Sequence, residues 1–432
     1  MHFALLTTGR AVFEPAVLDA GHQVTFVAPF DRVAGLRAQY PGRLVVATRS
    51  WDDEAALEEV EAQLPDDVDV VATIDEQAIW AAGWLRTHRS LPGQSQDQAL
   101  GYTDKAVMLE RLQAAGLPVA AFRIVTNDTQ VEQAAHEVGG FPVVVKPVRG
   151  QGAVNTFPVR DRAHLDELRA QGVFSAAEAD ASGRFGASAR LAALSDQGGF
   201  IVQRYIDMDG PGAREFWCDV HAFDGEVLLA PAGWYDTPPM TAGGRHRYWA
   251  SLAPDDPEVT DVKKLAATAV QALGGATGVS HVEVLRDRHG ALWVGEAAFR
   301  IGGGKWQAYS RQYGFDTPTV LTQLAAGQRP PIKDLTPCHP VLATLSLAPP
   351  AGTVTRIAPA EQIGALPGVV EVDLRLREGD PVPAPIGVVP MSGRIVWAPT
   401  GSGQDSIATE AQVLIDALRL EIAPDGTSGD RQ

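Results

Sequence analysis

The hydrophobic pattern changes register several times along the chain. Residues 2–8 form a continuous apolar run closed by Gly9, which reads as a first, buried strand. A helix-like segment follows, then Gly21 and His22, then the strand QVTFVAP. RLVVAT at 43–48, a charged helix at 52–62 and DVDVVATI at 67–74 continue the alternation. Strand, loop, helix and strand in that order predict a small parallel sheet. Gly9 alone is a weak nucleotide signal, because the GxGxxG spacing is absent.

From Thr103 the texture changes. TDKAVMLERLQAAG at 103–116 carries apolar residues at helical spacing, a cap at Thr103 or Asp104 and a terminal glycine. LPVAAFRIV at 117–125 opens a second unit, and VEQAAHEVGG at 131–140 is another helix ended by glycine. FPVVVKP at 141–147 reads as a buried strand, followed by the polar glycine-bearing loop RGQGAVNT and a helix at 164–172. GGFIVQRYID at 198–207 is a strand that runs into a connector. REFWCDVHAF at 214–223 and GEVLLAPAGW at 225–234 predict a hairpin about Asp224-Gly225. A helix at 262–278 precedes a second hairpin, with strands at 281–286 and 292–297 around His289-Gly290. From Cys338 onward, short strands separated by Pro and Gly turns lead to a closing helix near 406–419 and a frayed tail.

Composition narrows the class. The 432 residues suffice for two to four domains. Apolar residues at 45% and charged residues at 21% make the chain globular. A net charge of −17 argues against a nucleic-acid partner, which needs a basic face. Cys218 and Cys338 lie far apart in sequence and read as free thiols of a reducing compartment. No apolar run reaches the roughly 18 residues of a membrane helix. The start MHFALLTTGR lacks a charged leader region and a cleavage site. The expectation is a cytoplasmic protein with no membrane partner.

Chemistry concentrates in HVEVLRDRHGALWVGEAAFRIGGG, residues 281–304. Glu283 and Glu296 fall on the two strands of the predicted hairpin. Buried unpaired carboxylates are costly, but a divalent cation that bridges them to phosphate removes the cost. A solvated strand face is the plainer alternative. Arg300 presents a planar donor fork suited to carboxylate or phosphate, or forms a structural salt bridge with one of the glutamates. Gly302, Gly303 and Gly304 permit close approach of a ligand, or simply make a turn. Lys146 ends a buried strand before a glycine loop, where an ammonium reaches phosphate oxygens or snorkels to solvent. Lys305 is not a Walker A lysine, since Trp306 follows it. The segment GWYDTPPMTAGGRHRYW at 233–249, with His246, reads either as a substrate loop or as a surface loop.

In order, these residues are a helix lysine (Lys105), a strand lysine (Lys146), a glycine loop, a strand with its connector, and Glu, Glu, Arg and glycines. That order resembles the ATP-grasp superfamily from the first strand to about residue 330. GEAAFRIGGG resembles most the L-amino-acid ligases with their ESAAR-type motif, as does LPGVVEVDLRLREGDPV at 366–382. The resemblance implies an α/β ATP-grasp fold in four parts. These are a Rossmann-like parallel-sheet domain at 1–103, a small ATP-grasp subdomain at 104–200, a large one at 201–335, and a C-terminal β-rich subdomain at 336–432. It implies that Lys105 and Lys146 contact ATP phosphates under a lid of Gly150, Gln151 and Gly152. It places the adenine edge on backbone groups of Gln203 and Ile206 with Tyr205 between them, and gives Asp207 or Glu215 to the ribose or the metal. Glu283 and Glu296 become ligands of Mg²⁺ (or Mn²⁺), and Arg300 steadies the transferring phosphoryl group. His246, Glu215 and Gly302–Gly304 fall to the substrate.

One position departs from the superfamily pattern. Many members carry a metal-binding Asn two residues after the second Glu, where this chain has Ala298. The amino-acid ligases share the alanine, so a third protein ligand is open. The implied reaction joins a small-molecule carboxylate to an amine through an acyl phosphate, in a homodimer. A carboxylase acting on bicarbonate, and a non-catalytic nucleotide-binding protein, are the alternatives. No biotin-carrier Met-Lys-Met motif is present, and Glu283, Glu296 and Arg300 are all retained.

Overall fold

The computed structural model describes residues 1–9, 12–150, 156–171, 173–174, 199–237, 247–333, 335–382 and 392–424. Strands β1 (His2–Leu6), β2 (Gln23–Pro29), β3 (Leu44–Thr48) and β4 (Val70–Ala72) pair in parallel in the order β3-β2-β1-β4. Helices α1 (Glu14–Asp19), α2 (Phe30–Gln39), α3 (Glu54–Glu61), α4 (Ile79–His88) and α5 (Gln96–Thr103) complete this unit. Both faces of the sheet are covered, which is why β1 reads as an unbroken apolar run. Phe3 and Leu5 pack with Phe26 and with Leu321 and Leu324 from far along the chain. Ala4 and Leu6 pack with Leu57, Val60 and Trp84 of α3 and α4.

The second unit opens with α6 (Lys105–Ala114). Asp104 is its cap, accepting from the amides of Ala106 and Val107 at 3.0 and 3.1 Å. Thr103, the other cap expected from sequence, ends α5 instead. Strands β5 (Phe122–Val125), β6 (Val143–Pro147), β7 (Phe157–Val159) and β8 (Phe200–Arg204) form an antiparallel sheet in the order β5-β8-β6-β7. Helices α7 (Val131–Glu137) and α8 (Arg162–Ala170) bury Val131, Ala135 and Leu165 against Val143, Val145 and Val159. The Lys105 amide donates to the Val148 carbonyl at 2.9 Å, which ties the start of α6 to the end of β6.

The largest sheet has nine strands among the described residues. They are β9 (Arg214–Phe223), β10 (Glu226–Leu229), β11 (Ala232–Tyr235), β12 (Arg247–Ser251), β13 (Gly278–Arg286), β14 (Leu292–Ala298) and three from the last part of the chain. The strand expected at 225–234 is broken at Pro231, which has no N–H for the ladder. β10 and β11 therefore pair separately with β9. The ends of the expected loop at 233–249 are strand as well, β11 and β12 pairing antiparallel; residues 238–246 lie outside the described set. Helix α9 (Val259–Ala272) covers one face, with Val262, Ala266 and Val270 against Phe216, Cys218, Val282 and Val284.

Helices α10 (Trp306–Tyr313) and α11 (Thr317–Ala325), which the sequence pattern did not foreshadow, follow the glycine triplet. Gly314 ends α10 in the left-handed region at φ +71°, and Asp316 caps α11. The last part of the chain is not a sheet apart. β15 (Ala343–Ser346), β17 (Val369–Leu374) and β19 (Gly393–Trp397) extend the large sheet beyond β12. Only β16 (Gly352–Arg356), β18 (Pro381–Val382) and β20 (Glu421–Ala423) form a separate three-stranded sheet. Helices α12 (Ala360–Gly364) and α13 (Gln404–Leu418) pack on the large sheet's core through Ile363, Ile407, Ala411 and Leu414. No helix among the described residues is long and apolar enough to cross a membrane. Cys218 is buried, Cys338 is exposed, and both are free.

Candidate active site

Strand periodicity builds the site. On β13 and β14, Glu283 stands directly opposite Glu296, and His281 opposite Ala298. On the other side of β13, Glu283 faces Trp217 and His281 faces Asp219 of β9. The period of two sends Cys218, Val282 and Val284 to the apolar core under α9, and Asp219, His281, Glu283 and Glu296 to the opposite face. The ladder bulges immediately after Glu283. Each glutamate keeps about a third of its side-chain surface open, 34% for Glu283 and 30% for Glu296. The carboxylates are thus neither sealed in a core nor freely solvated.

Cations ring this pair. Lys105 Nζ lies 2.9 Å from Glu296 Oε1 and donates to the Gly150 carbonyl at 2.5 Å. Burial works against the Lys105 charge, but Glu296 and then Glu76 outweigh it and hold its pKa above the usual lysine range. Lys146 is buried, and among the described residues no carboxylate lies within ion-pair distance of its Nζ. Burial pulls its pKa down; Glu296 opposes the drop and Lys105 reinforces it. Lys305, also buried, sits 4.8 Å from the Tyr235 ring and 5.5 Å from the Trp249 ring.

The two glutamates titrate in opposite directions. Burial and then the Glu296 charge push Glu283 up. Burial also raises Glu296, but Lys105 and Lys146 overcome it and hold it low. A carboxylate raised in the folded state costs stability as pH rises from the unfolded value of about 4.3 through the folded one, and the cost stays in force above that window. Glu283→Gln is therefore expected to raise the melting temperature of metal-free protein above neutral pH. Calorimetry in a chelator, with wild type alongside, measures it; an unchanged or lower midpoint contradicts the repulsion.

Three residues that sequence reasoning missed complete the geometry. Glu76, in a short 3₁₀ turn (Glu76–Ala78) after β4, accepts from Nε and Nη2 of Arg300 at 2.8 and 2.7 Å. The Arg300 Nη1 donates to the Ile301 carbonyl at 3.0 Å. Arg300 thus pairs with the N-terminal unit, and the alternative of a bridge to Glu283 or Glu296 is not realised. Asp219, fully buried, accepts from His281 Nδ1 at 2.6 Å and from the Gly302 amide at 2.8 Å. Burial raises the Asp219 pKa, but the His281 ring and the Gly302 amide reverse the balance and hold it low. His281 Nε2 then lies 3.9 Å from Glu283 Oε1. The sequence signal was only His281 alternating with Glu283; nothing local marks Glu76 or Asp219.

The glycines differ in what they permit. A Cβ on Gly302 would stand 2.7 Å from His281 Nδ1 and 2.9 Å from Asp219 Oδ1, while Gly303 faces open space. Gly304 adopts φ +73°. Gly302→Ala is expected to cost about 1–3 kcal/mol in urea melts, because two buried side chains must move. Gly303→Ala, with nothing to clash against, serves as the silent control.

The remaining expected positions lie on β8, on the connector after it and on β9. Gln203 is buried on β8 between Phe122 and Val144, and two residues on, in the connector, the Tyr205 amide donates to the Pro142 carbonyl at 3.2 Å. Ile206 is half-buried. Asp207 pairs with Arg288 at 2.9 Å, at the turn of the β13–β14 hairpin. Glu215 is buried on β9 opposite Leu285, two pairs along from the Glu283–Trp217 pair. Gly150 is held by Lys105, whereas Gln151, Gly152 and His246 lie outside the described residues. Among the described residues no group of three or more His, Cys, Asp or Glu side chains is arranged to hold a metal.

No family model matches the chain. It is 30% identical over 315 residues to the L-arginine-specific L-amino acid ligase of Bacillus subtilis, covering 73% of this chain and 71% of that one. It is 24% identical over 354 residues to an uncharacterized protein of Sinorhizobium fredii, covering 81% and 68%. Among solved structures, it resembles the L-amino acid ligase of Bacillus licheniformis at TM-score 0.70 and 21% identity, covering 98% of each chain. It also resembles the N5-carboxyaminoimidazole ribonucleotide synthetase of Thermotoga maritima at TM-score 0.67 and 15% identity, covering 98% and 99%.

Proposed function

We propose, from the premise that the chain belongs to the L-amino-acid ligase family of ATP-grasp enzymes, that it joins one small carboxylate to one small amine of the amino-acid class. ATP is consumed, and ADP and phosphate are released. The α/β ATP-grasp fold expected from sequence is the fold of the solved structures it resembles. The observation that carries the reading is the facing pair Glu283–Glu296 with Lys105, Lys146 and Arg300 around it.

The donor set fits a hard divalent cation. Two oxygen donors face each other, each about a third open, and burial and then the neighbouring Glu296 charge push the Glu283 pKa up. Such sites suit Mg²⁺ (or Mn²⁺) with substrate oxygens completing the shell. Bound there, the ion would supply charge neutralisation for the phosphates. Glu283 and Glu296 are the proposed ligands.

The rest falls to the protein's own side chains. Lys105 and Lys146 bind the phosphates; Lys146, with no carboxylate within ion-pair distance among the described residues, has the freer ammonium. Gly150, held by Lys105, borders them, and Gln203, Tyr205 and Ile206 line the adenine edge. Arg300, aligned by Glu76, steadies the phosphoryl group. In the first step a carboxylate oxygen bonds to the γ-phosphorus and ADP leaves. In the second the amine nitrogen bonds to the acyl carbon, phosphate leaves, and the amine gives up a proton. Positioning and charge neutralisation are the catalytic means. Asp207, engaged by Arg288, is left out of the set. Lys305 and Asp219 are added as neighbours that fix the cleft's charge.

The test is ADP release measured across a matrix of L-amino acids offered singly and in pairs, with mass spectrometry of any product. Turnover that needs both partners, with a product mass equal to their sum less water, is the expected result. Turnover on bicarbonate without an amine would move the chain to the carboxylase alternative.

A further inference from the structure

A cavity of about 340 Å³, with Arg300 on its wall, is lined by residues of the N-terminal unit and of the large sheet. Phe13, Val279, Phe299 and Leu321 supply apolar wall. Lys105, Lys146, Glu283 and Glu296 take no part in the lining, and Arg300 alone belongs both to it and to the cleft.

Two buried polar side chains on this lining are under-used by the protein. Gln94 is 1% exposed, and neither its Oε1 nor its Nε2 has a partner among the described residues. A buried amide of this kind is normally satisfied. Arg86 is 8% exposed and spends Nε on the Val71 carbonyl (2.8 Å) and Nη1 on the Gln94 carbonyl (3.2 Å). Among the described residues no carboxylate pairs with it, and burial pulls its pKa down to about 10. A buried guanidinium held only by carbonyls favours an incoming anion. The other charged groups on the lining are Arg300, already paired with Glu76, and Asp224, exposed at the β9–β10 turn.

We propose that this cavity is a second small-molecule site, separate from the catalytic cleft, for a dipolar ligand of the amino-acid class. The ligand carboxylate accepts from Arg86 and from Gln94 Nε2. Gln94 Oε1 accepts an N–H of the ligand, and Asp224 attracts its ammonium. The apolar wall takes the side chain. The lining joins Thr73 and Ile74 of the N-terminal unit to Phe299 and Arg300 of the large one, so an occupant bears on both sides of the Glu76–Arg300 pair. The site goes beyond the ligase reading and needs neither ATP nor metal.

The test is saturation-transfer NMR with single L-amino acids on the full chain, in chelator and without nucleotide. Wild type and Glu296→Gln are expected to bind at least one amino acid alike. Gln94→Leu is expected to weaken that binding about tenfold or more. Gln94→Glu keeps the shape, places a carboxylate beside Arg86, and is expected to do the same; it covers the case in which the leucine variant fails to fold. Binding that survives both Gln94 variants, or that is lost in Glu296→Gln and kept in them, overturns the proposal. So does the absence of binding to wild type, an outcome that leaves the ligase reading untouched because turnover is measured separately.

Discussion

Glu296→Gln is expected to lower amino-acid-dependent ADP release by about 10³-fold or more, with little change in folding. Glu296 is the hub of the cleft's charge: it stands opposite Glu283, pairs with Lys105 at 2.9 Å, and is held ionised by Lys105 and Lys146. Glutamine keeps the shape and loses the charge that would hold a divalent cation. Two stability effects oppose each other. Lys105 loses its closest carboxylate but keeps the Gly150 carbonyl. Glu283 loses the like charge that raises its pKa. Breaking a buried pair costs about 3–5 kcal/mol when nothing compensates; relief at Glu283 and the open third of the Glu296 side chain both reduce that. Turnover and a denaturant midpoint on the same sample separate the two losses. Wild-type turnover from the folded variant would remove Glu296 from the metal set.

The order of elements was legible because each rested on local pattern. Continuous apolar runs marked β1, β2 and β6, and glycine or proline marked their ends. The facing of Glu283 and Glu296 was legible for the same reason, since a hairpin fixes its own register. What escaped was non-local. Glu76 meets Arg300 across 224 residues, and Asp219 meets His281 across 62; no periodicity within a window reports such pairs. Helices α10 and α11 were hidden because their apolar stripes are short and interrupted by Gly314 and Asp316, which act as stop and cap. The C-terminal strands looked like a separate β-rich unit because sequence shows strands but not their neighbours. In the fold, β15 takes β12 as its partner and carries the large sheet onward. The partner of Asp207 was not legible either: the connector position shows in the sequence, but its ion pair with Arg288 joins residues 81 positions apart.

The Arg300–Glu76 pair carries the second large effect. Arg300→Ala is expected to lower kcat by about 10³-fold, and Arg300→Lys to recover little of it. A lysine is a point charge; it cannot give Glu76 Oε2 two donors while a third nitrogen holds the Ile301 carbonyl, as Arg300 does. Glu76→Gln leaves the guanidinium in place with a neutral partner. Burial opposes the Arg300 charge and Glu76 is the first group that offsets it, so a smaller loss of about 10–100-fold is expected, in kcat more than in KM. Because Glu76 is proposed to act through Arg300, the losses should not multiply. The double variant Glu76→Gln/Arg300→Ala should be no worse than Arg300→Ala alone, which a double-mutant cycle reads directly. Multiplying losses would mean that Glu76 has work of its own in the cleft. The electrostatics allow that outcome to be recognised, since Glu76 also helps to hold Lys105 charged: its loss would then surface as weaker ATP binding, a change in KM for the nucleotide that Arg300→Ala does not share.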